Sequence, residues 1–128
     1  MVRLTHFSIP AKDCSRAMAF YRNAFGGEFK VGWHFDAPEG QRTYWLIDSG
    51  ANEHGPVQGG LTQERGPVMG ITVIFEVDSL DDRVTRIRES GGEIIAPRLA
   101  IPGVCWFASC RDTEGNLFAI SEPDPQAS

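Results

Sequence analysis

The apolar positions change period along the chain, and they do so in the same order twice. Residues 4–9 alternate with period two, placing Phe7 and Ile9 on one side and His6 and Ser8 on the other. That pattern predicts a strand, ended by Pro10. Ala17, Phe20, Tyr21 and Ala24 then recur at helical spacing, so a helix is expected to run to Phe25. Asp13 or Ser15 would cap its start, and Gly26-Gly27 would stop it. Residues 28–35 and 42–48 read as strands, the second rich in β-formers (Thr43, Tyr44, Trp45, Ile47), with a turn at Pro38-Glu39-Gly40 between them. A polar turn over residues 52–56 leads to a short strand at 57–61. Residues 63–70 hold Gly66-Pro67 and little apolar content, which predicts a linker.

The second half repeats this order. Residues 71–77 predict a strand with Val73, Phe75 and Val77 on one face and Thr72 and Ile74 on the other. Ser79 and Asp82 resemble a capping box ahead of a helix whose stripe is Leu80, Val84 and Ile87, and Gly91 would end it. Strands are expected at 93–96, 104–110 and 116–121, with an irregular stretch at 97–102 and a turn over residues 112–115. The tail, 123–128, is expected to fray. The phrase Phe25-Gly26-Gly27-Glu28-Phe29 returns as Ser90-Gly91-Gly92-Glu93-Ile94, at the end of the helix in each half. The chain therefore reads as one α+β domain over 1–128, built from two tandem β-α-β-β-β modules, about 3–62 and about 71–122. Each sheet would bury one face on its own helix. The other faces would line a concave, half-barrel-like mixed sheet, a natural place for a pocket.

Composition narrows the function classes. Hydrophobic residues make up 41% and charged residues 23%, an ordinary globular balance. A net charge of −5 argues against nucleic acid as a partner, since its binders need clustered Lys and Arg. No apolar run approaches the ~20 residues of a membrane helix, so no membrane partner is expected, and the cytoplasm is the expected location. Cys14, Cys105 and Cys110 have no C-x-x-C spacing and read as reduced packing residues.

The order of elements, together with His6-Phe-Ser-Ile-Pro-Ala-Lys-Asp13, Phe20-Tyr21, Phe25-Gly26, Ile71-Thr-Val-Ile-Phe-Glu-Val-Asp78, Gly91-Gly92 and Asp112-Thr-Glu-Gly-Asn116, resembles the vicinal oxygen chelate superfamily. That superfamily includes glyoxalase I, extradiol dioxygenases, fosfomycin-resistance enzymes and bleomycin-resistance proteins. The resemblance implies a homodimer and, in the enzymes, one divalent metal held by two His and two carboxylate or Gln ligands on the first and last strands of each module. Placed on this sequence, the four positions are His6, Thr72, Ala119, and Gly59 or Gly60. Only His6 can coordinate. Catalytic zinc sites keep ~3 protein ligands, so no family-type metal site is expected. Glu53, His54 and Glu122 are the candidates for a rebuilt divalent site, the lesser expectation. Glu122 has the opposite strand parity to Ala119 and should point away from the pocket. His34 reads as a surface or rim residue.

His6 remains as a buried structural histidine or a polar handle for a ligand. Trp33, Phe35, Tyr44, Trp45, Trp106 and Phe107 lie on the inner strands, and alternation should assign about half of them to helix packing. Trp45 and Trp106 occupy similar places, so one pair could face each other across the concavity, with residues 99–107 as a lip bent at Pro102-Gly103. The expected ligand-binding set is His6, Trp33, Phe35, Trp45, Thr72, Trp106 and Ala119. The expected function is metal-independent binding of a small aromatic or amphipathic molecule, similar to the bleomycin-resistance branch. The alternative is a glyoxalase- or dioxygenase-related enzyme using His6, with a non-standard metal site or no metal.

Overall fold

The computed structural model describes residues 2–25, 28–37, 40–48, 58–63 and 70–128. The chain divides into two compact units, His6–Ile71 and Thr72–Ser128, the second also taking Met1–Thr5. In the first unit lie β1 (Arg3–Ala11, from His6 onward), α1 (Cys14–Phe25), β2 (Glu28–Ala37), β3 (Gly40–Asp48) and β4 (Gln58–Gln63). Their sheet order is β2-β3-β4-β1, with β4 parallel to β1 and the other neighbours antiparallel. The second unit holds β5 (Thr72–Glu76), α2 (Leu80–Glu89), β6 (Glu93–Ile101), β7 (Cys105–Arg111) and β8 (Leu117–Pro123). Here β8 is parallel to β5, and the order β5-β8-β7-β6 repeats the pattern of the first unit. The α+β class and the duplicated β-α-β-β-β order are therefore those read from the hydrophobic pattern.

In the second unit, α2 starts and stops where its sequence dictates. Ser79 is the N-cap, its hydroxyl accepting the Asp82 N–H at 3.2 Å. At the other end Gly91 has φ +95°, donates to the Arg88 carbonyl, and is followed by Gly92 donating to the Ile87 carbonyl at 2.9 Å. That pair of bonds is the left-handed cap that glycine permits. Leu80 is fully buried, and Val84 and Ile87 pack on the core of Val77, Leu80, Ala108, Cys110 and Ile120.

In the first unit Asp13 is the N-cap, its Oδ1 accepting from the Arg16 N–H at 3.0 Å. The buried stripe of α1 differs from expectation. Cys14, Ala17, Met18 and Tyr21 are half-buried, with Ala19 beside them, while Phe20 is 59% exposed and Ala24 is exposed. The observed set has the same i, i+3, i+4, i+7 spacing but is rotated around the helix. On this face the Cys14 thiol donates to the Gln63 side-chain oxygen at 3.8 Å. Exposed Phe20 meets Tyr21 edge to face at the border of the stripe. The Gly26-Gly27 stop, the residues between β2 and β3, and the turn bearing Glu53 and His54 lie outside the described residues. So does all of the linker except Gln63, which closes β4, and Gly70.

Three further expectations are corrected. β1 continues through Pro10 to Ala11, with Pro10 level with Thr62. Proline lacks only the N–H, and its fixed φ suits extended backbone near a strand end. Residues 97–101 belong to β6 rather than to an irregular stretch, because register shifts on either side of Ala96 absorb Pro97. The turn after β6 places Pro102 and Gly103 (φ +73°) as its central residues, with Val104 N–H bonded to the Ile101 carbonyl. That is a type II turn. The tail does not fray. Glu122 and Pro123 extend β8, Gly103 N–H donates to the Ala127 carbonyl at 2.9 Å, Asp124 N–H donates to the Val104 carbonyl at 3.0 Å, and Ala127 is only 3% exposed. Burial and backbone bonding, not closeness to a terminus, decide order.

Two residues test these accounts. Gly59 is level with Phe7 across β1 and β4, and a Cβ there would overlap the Phe7 ring. Gly59→Ala should therefore cost about 1–3 kcal/mol, as overpacking does, read as a lower denaturant midpoint at unchanged m-value. In the β7–β8 turn Asp112 accepts the Glu114 and Asn116 N–H groups at 2.8 Å each, and the Asn116 side chain at 3.1 Å. The Asn116 backbone bond, followed by its side-chain bond, holds this carboxyl below its ordinary value of 3.8. A lowered folded value stabilises above the unfolded value and loses that contribution as pH falls through the folded one. Asp112→Asn should lower the melting temperature at neutral pH, and the difference from wild type should vanish in acid that protonates Asp112.

Candidate functional site

In each unit the helix covers one face of the sheet, and strand alternation decides which residues it covers. In the first unit Ile9, Ala11 and Leu61 line a cavity of about 280 Å³ together with Ala17 and Tyr21 of α1. Odd positions of β1 and β4 thus face the helix. His6 and Ser8 take the helix-free face, as their alternation predicts, and so do the positions level with them, Gln58 and Gly60. In the second unit Phe75, Phe118 and Ile120 pack with α2, so Thr72, Ile74, Ala119 and Ser121 hold the helix-free face.

The register also resolves the fourth family position. Ile74, two residues after Thr72, is level with Ala119, and Ser8, two residues after His6, is level with Gly60. Gly60 is therefore the counterpart of Ala119, and Gly59, which lies beneath Phe7, is not. Ala119 is fully buried and carries only a methyl group. Among His6, Gly60, Thr72 and Ala119 only the histidine offers a ligand nitrogen. This donor set does not fit the family's four-ligand cage. Among the described residues no three His, Cys, Asp or Glu side chains come together.

Other candidates are engaged elsewhere. Glu122 has the parity of Ile120, and its Oε1 accepts the Leu80 N–H at 2.7 Å. It caps the start of α2, where a negative charge meets the positive end of the helix dipole. The thiols are poor nucleophiles. Burial pushes Cys105 and Cys110 up to about 11, and burial followed by the charge of Asp13 raises Cys14.

The aromatic residues divide by face. Trp106 packs against the α2 core, its Nε1 donates to Asp124 Oδ2 at 2.9 Å, and the Arg98 guanidinium lies 4.2 Å from its ring centre. It stands on the helix side, not beside Thr72 and Ala119 as expected. Trp45 is half-buried and level with Leu61, again on the helix side of its own sheet. The expectation that Trp45 and Trp106 both line the helix-free faces is therefore corrected, because strand alternation turns each toward its helix. Phe107, next to Trp106, takes the opposite face, level with Ser121.

A β-bulge changes the count on β2. Val31 is level with Trp45, but the register then shifts, and Trp33 is level with Tyr44 and Phe35 with Arg42. Tyr44 in turn is level with Thr62. Trp33, Phe35, Arg42 and Tyr44 are thus positions of the same face as Thr62, Gly60 and His6. Of the expected binding set, the first unit brings His6, Trp33 and Phe35 to one face and the second brings Thr72 and Ala119 to one face. Gln58, level with His6, was not singled out in the sequence. The parallel β1–β4 register that brings the two level is set over a long connection and leaves no local sequence mark.

Comparison with known proteins agrees with this architecture. A glyoxylase-like domain-containing protein from Didymella fabae is 27% identical over 120 residues, covering 92% of this chain and 91% of its own. The crystal structure of methylmalonyl-CoA epimerase from Mycobacterium tuberculosis superposes with TM-score 0.64 at 21% identity, over 95% of this chain and 88% of its own. A Streptomyces coelicolor methylmalonyl-CoA epimerase in complex with 2-nitronate-propionyl-CoA gives TM-score 0.66 at 19% identity, over 98% and 97%. At such identities the structural likeness shows the fold alone. The family match is broader in meaning, because it runs from the first strand of the first unit into the last strand of the second. On residues 3–120, the chain belongs to the Glyoxalase/Bleomycin resistance protein/Dioxygenase superfamily.

Proposed function

We propose that the protein binds a small aromatic or amphipathic molecule without a metal ion, as a sequestering or resistance protein would. One observation carries this reading. The strand register puts Gly60 and Ala119 in equivalent places, and neither they nor Thr72 can replace a metal ligand. A single imidazole does not hold a catalytic divalent ion against water. In such a site His6 acts as a polar handle that orients a ligand, while apolar and aromatic neighbours supply most of the affinity. The same reading has the protein acting as a cytoplasmic homodimer. The free Cys14, Cys105 and Cys110 support a reducing compartment, and no helix among the described residues is long and apolar enough to cross a membrane.

A second reading, an enzyme of the glyoxalase or dioxygenase kind using His6, is favoured by the level placement of Gln58 beside it. The epimerase structures, one holding 2-nitronate-propionyl-CoA, add acyl-CoA thioesters to the ligands worth testing.

Elemental analysis and calorimetry separate the two readings. The purified protein should carry no stoichiometric divalent ion, and Ni, Zn, Mn or Fe should give no thermal shift. Affinity for an aromatic ligand found in a panel of antibiotics, aromatic metabolites and acyl-CoA thioesters should be unchanged by EDTA. A stoichiometric ion that disappears in His6→Ala would establish the enzyme reading instead. Under the binding reading, His6→Ala should weaken the ligand about five- to tenfold, the worth of one polar contact. Sedimentation should give twice the chain mass, and a monomer at micromolar concentration would remove the dimer.

A further inference from the structure

The helix side of the first unit is filled less well than that of the second, and the repeat shows where. Asp13 and Ser79, the two N-caps, are separated by the same number of residues as His6 and Thr72 on the first strands. On that alignment Ile9 answers to Phe75, Ala11 to Val77 and Cys14 to Leu80. Beneath α2 the three larger residues close the space: Val77 and Leu80 are buried in the core and Phe75 packs on it. Beneath α1 the three smaller ones go with a cavity of about 280 Å³, and none of the α1 residues is fully buried. Interiors are close-packed, with few voids larger than a water molecule, so a space of this size is not something the fold itself needs.

The walls and the mouth of this cavity differ in chemistry. Ile9, Ala11, Ala17 and Leu61 give it aliphatic walls, with Ala11 and Leu61 buried. Lys12 and Arg16 line it as well and are exposed, so its cationic end opens to water. Asp13 is the acidic residue of the lining, and its Oδ1 is engaged by the Arg16 N–H at 3.0 Å. The lining thus sets two cations against one anion, and Glu64 and Arg65, next in the chain after Gln63, cancel in formal charge. The bend that carries Lys12 is fixed, because Gln63 Nε2 donates to the Lys12 carbonyl at 2.7 Å. At ~30 Å³ per water the cavity has room for roughly nine waters, the bulk of a ligand of about eight to ten non-hydrogen atoms. We propose that it is a second ligand site, taking a small aliphatic carboxylate whose chain lies against Ile9, Ala17 and Leu61 and whose head meets Lys12 and Arg16. His6 and Ser8 stand on the opposite face of β1, so this site is separate from the helix-free face and does not depend on the function proposed for that face.

The test titrates the intact, isotope-labelled chain with straight-chain carboxylates and with hexanamide, following the backbone amide signals. Hexanoate should move the amides of Ala11, Ala17 and Leu61, and it should bind about fivefold more tightly than hexanamide, an advantage that added salt reduces. Affinity should rise about fourfold per methylene from butanoate to hexanoate, and the rise should end by decanoate, which outgrows the cavity. Replacing Lys12 and Arg16 together (Lys12→Gln, Arg16→Gln) should make acid and amide equal. Ala17→Leu, which fills the cavity from a helix position that suits leucine, should remove binding of both. Equal wild-type affinity for acid and amide, no binding at millimolar ligand, or unaltered binding in Ala17→Leu overturns the proposal. So do shifts confined to the helix-free face around His6, Thr72 and Ala119, an outcome that leaves the function proposed for that face standing. The wild-type chain-length series and the map of shifted amides decide the matter even if a variant does not fold.

Discussion

One helix per four-stranded sheet is the constraint on which the rest of this structure depends. A helix can bury only one face of its sheet, so every strand residue is assigned by parity either to the helix or away from it. The assignment is enforced energetically. On the strands Leu61 and Ile120 are almost completely buried, and reversing one strand's parity would exchange such side chains for residues like His6, Thr72 or Ser121. At roughly 1.5–3 kcal/mol per buried aliphatic side chain, a slip of one residue is prohibitive for a marginally stable fold. The helix-free faces, and the chemistry they carry, are therefore residues left over from core formation.

Within that constraint, local devices adjust which residues are left over. The two glycines after α2 turn the chain into β6 through a left-handed cap, and the β2 bulge changes parity in mid-strand. Glu122 shows the same logic from the other side. Its parity gives it to the helix, where it caps the Leu80 N–H rather than serving the face that holds Ala119. The tail beyond it is ordered for a comparable reason: Asp124 joins the Trp106 indole and the Val104 carbonyl, and buried Ala127 bonds to the Asp124 carbonyl and the Gly103 N–H.

The duplicated scaffold and the unduplicated site follow from different physical demands on the two faces. Helix-side positions repeat in kind, as Ile9 and Leu61 in one unit match Phe75 and Ile120 in the other. The helix-free positions do not repeat: His6 answers to Thr72, and Gly60 to Ala119. Folding requires the first set to be apolar in both units. Nothing in folding requires the second set to be alike, so these residues vary with ligand chemistry while the fold persists.

The sequence by itself determined the order of elements, the duplication, the caps at Ser79 and Gly91, and the faces of β1, β5 and β8, while the choice of Asp13 over Ser15 as the cap of α1 came from the structure. Each of these depends on short-range periodicity or on a residue with its own backbone preference. It also determined that the ligand positions other than His6 hold no coordinating group, which is a matter of identity rather than geometry. Only the tertiary structure decided that Gly60 rather than Gly59 matches Ala119, that Gln58 stands level with His6, that Trp45 and Trp106 turn to their helices, and that Trp33 and Phe35 share a face with Arg42. Those outcomes depend on parallel register across long connections and on a bulge. Both are settled by packing between segments distant in sequence, so no local pattern records them.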